Sequence, residues 1–153
     1  MALFPNARYH LHEADVAWAR TFDDAEDLRE FAEAIAPLEA SGQLDTSVED
    51  RDVIPGLAIR HAPGHTPGHR VALLDAGDER VLFAGDLLHF TFQLNDVTYR
   101  SPADNDPKEG SLTRRLWLDR AEAERMTLAT AHVPPSPFGR LVREGGSLEL
   151  HRR

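Results

Sequence analysis

The sequence predicts an α/β protein, layered from helices and a sheet, on three observations. Apolar residues recur at helical spacing through DDAEDLREFAEAIAPLEASG (23–42), which sets Leu28, Phe31, Ile35 and Leu38 on one stripe. From Leu57 the period changes to alternation and short apolar runs, broken by Pro-Gly and Gly-Asp turns. A second helical stretch, SLTRRLWLDRAEAER (111–125), then precedes one more apolar run.

In chain order, a brief extended stretch at 8–10 leads into HEADVAWAR (12–20), a short helix carrying Val16 and Trp18. The 23–42 helix takes Asp23 or Asp24 as its N-cap and stops near Gly42, with Pro37 ending or kinking it. LAIRH (57–61), RVALLDAG (70–77) and ERVLFAGD (79–86) read as three strands, the last two joined as a hairpin. VALLDA and VLFAG are near-continuous apolar runs, the pattern of strands buried on both faces. An Asp-, Asn- and Pro-rich loop (90–110) follows, then the 111–125 helix with Leu112 and Leu116 on one face, and MTLATAH (126–132) as a buried strand. PPSPFGRLVREGGSLELH (134–151) reads as turn-rich with one last strand.

At 153 residues the chain is sized for one domain. No apolar run approaches the roughly 20 residues of a bilayer span, and MALFPNARYH lacks the apolar stretch of a secretory signal, so a cytoplasmic location without membrane attachment is expected. The absence of cysteine excludes disulfide and thiolate chemistry and leaves nitrogen and oxygen to hold any metal. A formal charge of -9 has the wrong sign for general nucleic-acid binding, which depends on neutralising phosphates.

The stretch HAPGHTPGH (61–69) places three histidines among two Pro-Gly pairs at the end of a strand. Two further strand ends carry a possible metal ligand, Asp86 after VLFAG and His132 after LATA. Strands running the same way present corresponding ends to one side of a sheet, so His65, Asp86 and His132 are candidates to converge. Two imidazoles and a carboxylate suit zinc, manganese, cobalt or iron, with Gly85 letting the chain approach an ion beside Asp86. The competing account is a hydrogen-bonded cluster in which His65 or His132 becomes imidazolium and pairs with Asp86.

HAPGHTPGHRVALL followed by VLFAGDLLH resembles the metallo-β-lactamase superfamily, in particular the branch containing methyl parathion hydrolase and the quorum-quenching lactonases. The likeness continues through FQLNDVTY, TRRLWLDRAEAE and AHVPPSPFGRLV, and FPNARYHLHEADVAWA is similar to the segment after the family's main metal motif. It implies half of an αββα sandwich, a mixed sheet covered by helices on one face, with residues 1–153 as a single truncated domain equivalent to the C-terminal half. It also implies that His65 ligates a first metal, that Asp86 bridges two, and that His132 ligates the second. The metal would be zinc or another divalent transition ion. His69 and His89 would be structural or would support the ligands, His89 by contacting Asp86 or substrate.

The H-x-H-x-D-H motif of the family is missing from this sequence. HLHEAD offers His10, His12 and Asp15, but without the following D-H it is taken as a chance echo. His61 and His151 are left without a role. The resemblance implies a metal-dependent hydrolase of a small-molecule lactone, ester or phosphotriester, impaired or inactive as an isolated half; the alternative is a non-catalytic oligomerisation or binding module descended from one. The uncovered sheet face calls for a partner, either a second copy of the chain or a separate N-terminal half, over roughly 2,000 Å² or more if the contact is obligate. Polar substitution of Leu73 or Phe83 is expected to disturb that contact.

Overall fold

The computed structural model describes residues 4–133 and 138–152, so the predicted turn at 134–137 lies outside the described residues. The chain divides into two compact units, residues 1–48 and 49–153, each described by itself.

The first unit pairs two short strands in parallel, β1 (Tyr9–His12) and β2 (Leu44–Ser47), around three helices, α1 (Glu13–Ala19), α2 (Ala25–Ala34) and α3 (Ala36–Ser41). Asp24 caps α2 by accepting from the backbone N–H groups of Glu26 and Asp27. The long helix expected from the 23–42 pattern is two helices. Pro37 has no backbone N–H to continue the α2 ladder, so it sits in the first turn of α3 instead, where none is needed. Gly42 closes α3 in the left-handed conformation at φ 70°.

The second unit is a seven-stranded mixed sheet, formed by β3 (Arg51–Ile54), β4 (Leu57–His61), β5 (Arg70–Asp75), β6 (Arg80–Gly85), β7 (Thr127–Thr130), β8 (Phe138–Glu144) and β9 (Ser147–Arg152), side by side in that order. Every neighbouring pair is antiparallel except β6 and β7, which are parallel and linked through α4 (Pro107–Ala123). β3 was not read from the sequence, although Pro55-Gly56 is its turn into β4, with Gly56 at φ 83°. Likewise Gly145 and Gly146, both at positive φ, turn β8 back into β9, giving two strands where one was expected.

Alternation assigns the faces. Leu73, Leu82 and Leu128 stand opposite one another in register and join Val71, Leu141, Trp117, Leu118 and Ala121 in the core beneath α4. Each fully buried leucine there contributes about 1.5–3 kcal/mol relative to exposure. Val81 and Phe83 point to the opposite face with Ala72 and Leu74, where Phe83 remains 39% exposed. Leu73 and Phe83, named together above, thus point to opposite faces: Leu73 is partly buried against the core, and Phe83 lies on the other side of the sheet. One helix face is also corrected. Leu112 and Leu116 do share a side of α4, but it is the outer one, 65% and 64% exposed, while Gly110, Thr113, Arg114, Trp117, Leu118 and Ala121 face inward. α4 begins four residues earlier than read, because Asp106 caps the N–H groups of Lys108 and Glu109 and Pro107 occupies the first turn.

Candidate metal centre

Because β4 and β6 are both antiparallel to β5, they run the same way, and β7 is parallel to β6. Their C-terminal ends therefore share one rim of the sheet. The turn after β4 brings His65 there, the end of β6 brings Asp86, and the segment after β7 brings His132. His132 Nε2 donates to Asp86 Oδ1 at 2.7 Å, and His65 Nε2 lies 3.7 Å from Asp86 Oδ2. The structure thus gathers all three residues singled out in the sequence.

The His65 turn is clamped to the start of α4. Asn105 and Asp106 donate their N–H groups to the carbonyls of His65 and Gly64, at 2.9 and 2.8 Å. Gly64 and Gly110 touch backbone to backbone with no room for a side chain on Gly64, which is why the Pro-Gly of this turn packs so closely. His61, left without a role above, holds the same turn through Nε2 to the Pro67 carbonyl at 2.9 Å.

His69 fixes the other wall. Its Nδ1 donates to the Ala62 carbonyl at 2.9 Å, which leaves Nε2 free to accept the Asp86 backbone N–H at 3.0 Å and sets the tautomer. Gly85, at φ 52°, makes this approach possible, since a Cβ there would stand 2.8 Å from His69 Nε2. Its smallness makes room for the His69 ring. Gly85→Ala is expected to cost about 1–3 kcal/mol through left-handed strain and the displaced ring. An unchanged urea midpoint would contradict that role.

Two residues that sequence reasoning missed complete the support. Asp104, with 1% of its side chain exposed, lies 3.4 Å from His65 Nδ1 and accepts the Ser101 N–H at 2.8 Å. A carboxylate behind an imidazole sets ring orientation and raises its basicity as a ligand. Arg114, 2% exposed, lies 3.5 Å from Asp104 and donates to the carbonyls of Leu87 and Val97 at 2.8 and 2.7 Å. Nothing in the local sequence around Asp104 marks it, because its partners are 39 residues before it and ten after.

His89 lies beside Asp86, one of the two contacts that the resemblance implied for it. Its ring stacks on His132 with centroids 4.9 Å apart and planes within 9°, and its Nε2 is 3.9 Å from Asp86 Oδ1. Burial, reinforced by the neighbouring His65 and His132 and opposed by Asp86 and Asp104, holds the His89 pKa below the usual imidazole value. For Asp86, burial alone would raise the pKa. The hydrogen bond from His132 and the imidazoles of His65, His132 and His69 outweigh it and keep the carboxylate ionised further into acid than usual.

The remaining histidines are engaged elsewhere. His10 Nδ1 pairs with Asp45 at 3.2 Å, and His12 caps α1 by accepting the Ala14 N–H at 3.1 Å. His151 faces Glu144 and Glu149 on the exposed β8–β9 hairpin. An open cleft of about 670 Å³ lined by Pro55, Leu74 and Arg80 lies toward the other end of the strands. A second cleft, bounded by Phe90, Tyr99, Arg100 and Asp104, adjoins the histidine cluster.

A carboxylate and several imidazoles delivered to one rim by the ends of a mixed sheet make an α/β protein with a cluster of side chains that could hold a metal, carried on short turns with the rigidity in the strands. The chain belongs to the metallo-beta-lactamase superfamily, whose family model matches residues 1–132. The fold is similar to that of the hydrolase AbOPH of the beta lactamase superfamily, with TM-score 0.85 and 24% identity, over 100% of this chain and 57% of that one. It is similar also to AidC, a dizinc quorum-quenching lactonase, with TM-score 0.82 and 18% identity, over 100% and 57% of the two chains. A probable metal-dependent hydrolase from Staphylococcus aureus matches with TM-score 0.72 and 14% identity, over 99% and 54%. The chain therefore spans a little over half the length of these structures. A search of curated proteins gives no match.

Proposed function

We propose that this chain carries part of the metal centre of a metal-dependent hydrolase, acting on a lactone, ester or phosphotriester. One observation supports this above the others. The two oxygens of Asp86 face different imidazoles, Oδ1 toward His132 and Oδ2 toward His65. A carboxylate offers an oxygen to each of two cations, whereas a neutral imidazole offers one lone pair. His65 and His132 would then each hold one zinc or other divalent transition ion, with Asp86 between them. The all-nitrogen-and-oxygen donor set fits such ions.

When bound, the ions supply Lewis acidity and lower the pKa of a coordinated water. The chain's own residues keep the donors in place. Asp104 orients His65, His69 anchors the Asp86 backbone, and Arg114 balances the buried charge of Asp104. Phe90 and Phe92 stack with centroids 5.0 Å apart, Tyr99 meets both edge-on at 4.5–6.2 Å, and together beside His89 they would form an apolar wall for the organic part of a substrate.

The rest of the ligand set is proposed to come from a second polypeptide segment, either another copy of the chain or a separate N-terminal half, seated on the sheet face that carries Phe83. A cytoplasmic setting suits this reading, and among the described residues no helix is long and apolar enough to cross a membrane. The second reading, a binding module without catalysis, draws on that same partly exposed face. Elemental analysis, mass in solution and an ester, lactone and phosphotriester panel on one preparation separate the two. Stoichiometric divalent metal with turnover supports the enzyme; metal-free protein that self-associates without turnover refutes it and supports the module.

A further inference from the structure

We propose that His89 is a metal ligand, completing with Asp86 and His132 a three-donor site for one divalent transition ion. It rests on the reading of this rim as a metal centre, but adds a ligand that the sequence did not assign. Donor atoms of Asp86, His89 and His132 all lie within 4.8 Å of one another. Around a tetrahedral ion with bonds near 2.0–2.1 Å, two donors stand roughly 3.3 Å apart. The separations here straddle that figure: 2.7 Å from His132 Nε2 to Asp86 Oδ1, and 3.9 Å from His89 Nε2 to the same oxygen. The longer distance is beyond a hydrogen bond and close to that of two donors sharing a cation. The shorter one has to open by roughly half an ångström to admit an ion. His132 has the freedom to do so, with its side chain 49% exposed.

His89 is held for this position by interactions that leave its ring nitrogens uncommitted. The side-chain oxygen of Gln93, itself fully buried, accepts the backbone N–H groups of both His89 and Phe90 at 2.8 and 3.0 Å. The ring also stacks on His132, with centroids 4.9 Å apart. Among the described residues His89 Nδ1 is buried with no hydrogen-bond partner, whereas His65, His69 and His132 each have one at a ring nitrogen. Neither ring nitrogen of His89 is committed to a hydrogen bond among the described residues, and Nε2 is the one that faces Asp86 Oδ1. Two imidazoles and one carboxylate are a sufficient protein ligand set for a zinc-like ion that keeps an open position.

The test is titration of the metal-free full chain with Co²⁺, read by its visible d–d absorption, on the wild type and on His89→Ala, His89→Phe, Asp86→Ala and His132→Ala. His89→Phe keeps a ring for the stack but has no donor nitrogen. Both His89 variants are expected to bind Co²⁺ at least about 10-fold more weakly and with altered band positions. Circular dichroism establishes which variants fold; should neither His89 variant do so, NMR of the wild type with Co²⁺ decides, since a ligating His89 ring shows paramagnetically shifted resonances and a non-ligating one retains its ordinary relaxation. Wild-type affinity and spectrum in a folded His89 variant, with binding lost in Asp86→Ala, overturns the role of His89 and leaves the metal centre standing. Failure of the wild type to bind Co²⁺ at all overturns both.

Discussion

Arg114→Ala is expected to cost about 3–5 kcal/mol of folding stability, a large share of the roughly 5–15 kcal/mol that holds a domain folded. The guanidinium is nearly sealed from solvent and donates to the carbonyls of Leu87, Val97 and Tyr99 while facing the buried Asp104 carboxylate. Alanine strands those acceptors, and leaves a negative charge where water cannot reach it. The same logic makes a rescue testable. Arg114→Met together with Asp104→Asn removes the orphaned charge, so the double variant should be more stable than Arg114→Met alone, with a positive coupling in a double-mutant cycle. Chemical denaturation measures both quantities. A loss under about 1 kcal/mol for Arg114→Ala would show that the buried network is not what fixes this part of the chain.

Asp86→Ala should weaken divalent metal binding by at least about 100-fold, beyond the 10–100-fold typical of losing a group that merely supports a ligand. The carboxylate reaches both His65 and His132, so its loss removes the shared donor as well as the negative charge that offsets a cation. Its side chain is 37% exposed, so the accompanying change in folding stability should be small beside that of Arg114→Ala. Isothermal titration with Zn²⁺ checks the affinity, and the metal-free unfolding midpoint checks the stability. Equal affinity in wild type and variant would remove Asp86 from the metal centre.

Much of the site could be read in the chain because its parts are local. A histidine between Pro-Gly pairs, a Gly-Asp closing an apolar run and a histidine closing another are each visible within a few residues, and hydrophobic period placed all three at strand ends. Strand direction then did the rest: once β4, β6 and β7 run the same way, their ends must share a rim. The errors have a common cause. β3 is a four-residue strand whose alternation is too brief to announce it, and β8 and β9 were read as one strand, although Pro55-Gly56 and Gly145-Gly146 mark the turns. The outward side of α4 was mistaken for its core because leucines define an apolar stripe, while the real inner face is built from Gly110, Arg114 and Trp117.

The sequence by itself determined the α/β layering and the three ligand candidates, since period, turns and strand-end residues are properties of neighbours along the chain. Only the tertiary structure decided that Asp104 stands behind His65, that Arg114 holds Asp104, and that His89 stacks on His132. Each of these pairings joins a charged or polar group to a partner chosen by burial. Burial depends on which distant segments pack together, and no local pattern records it.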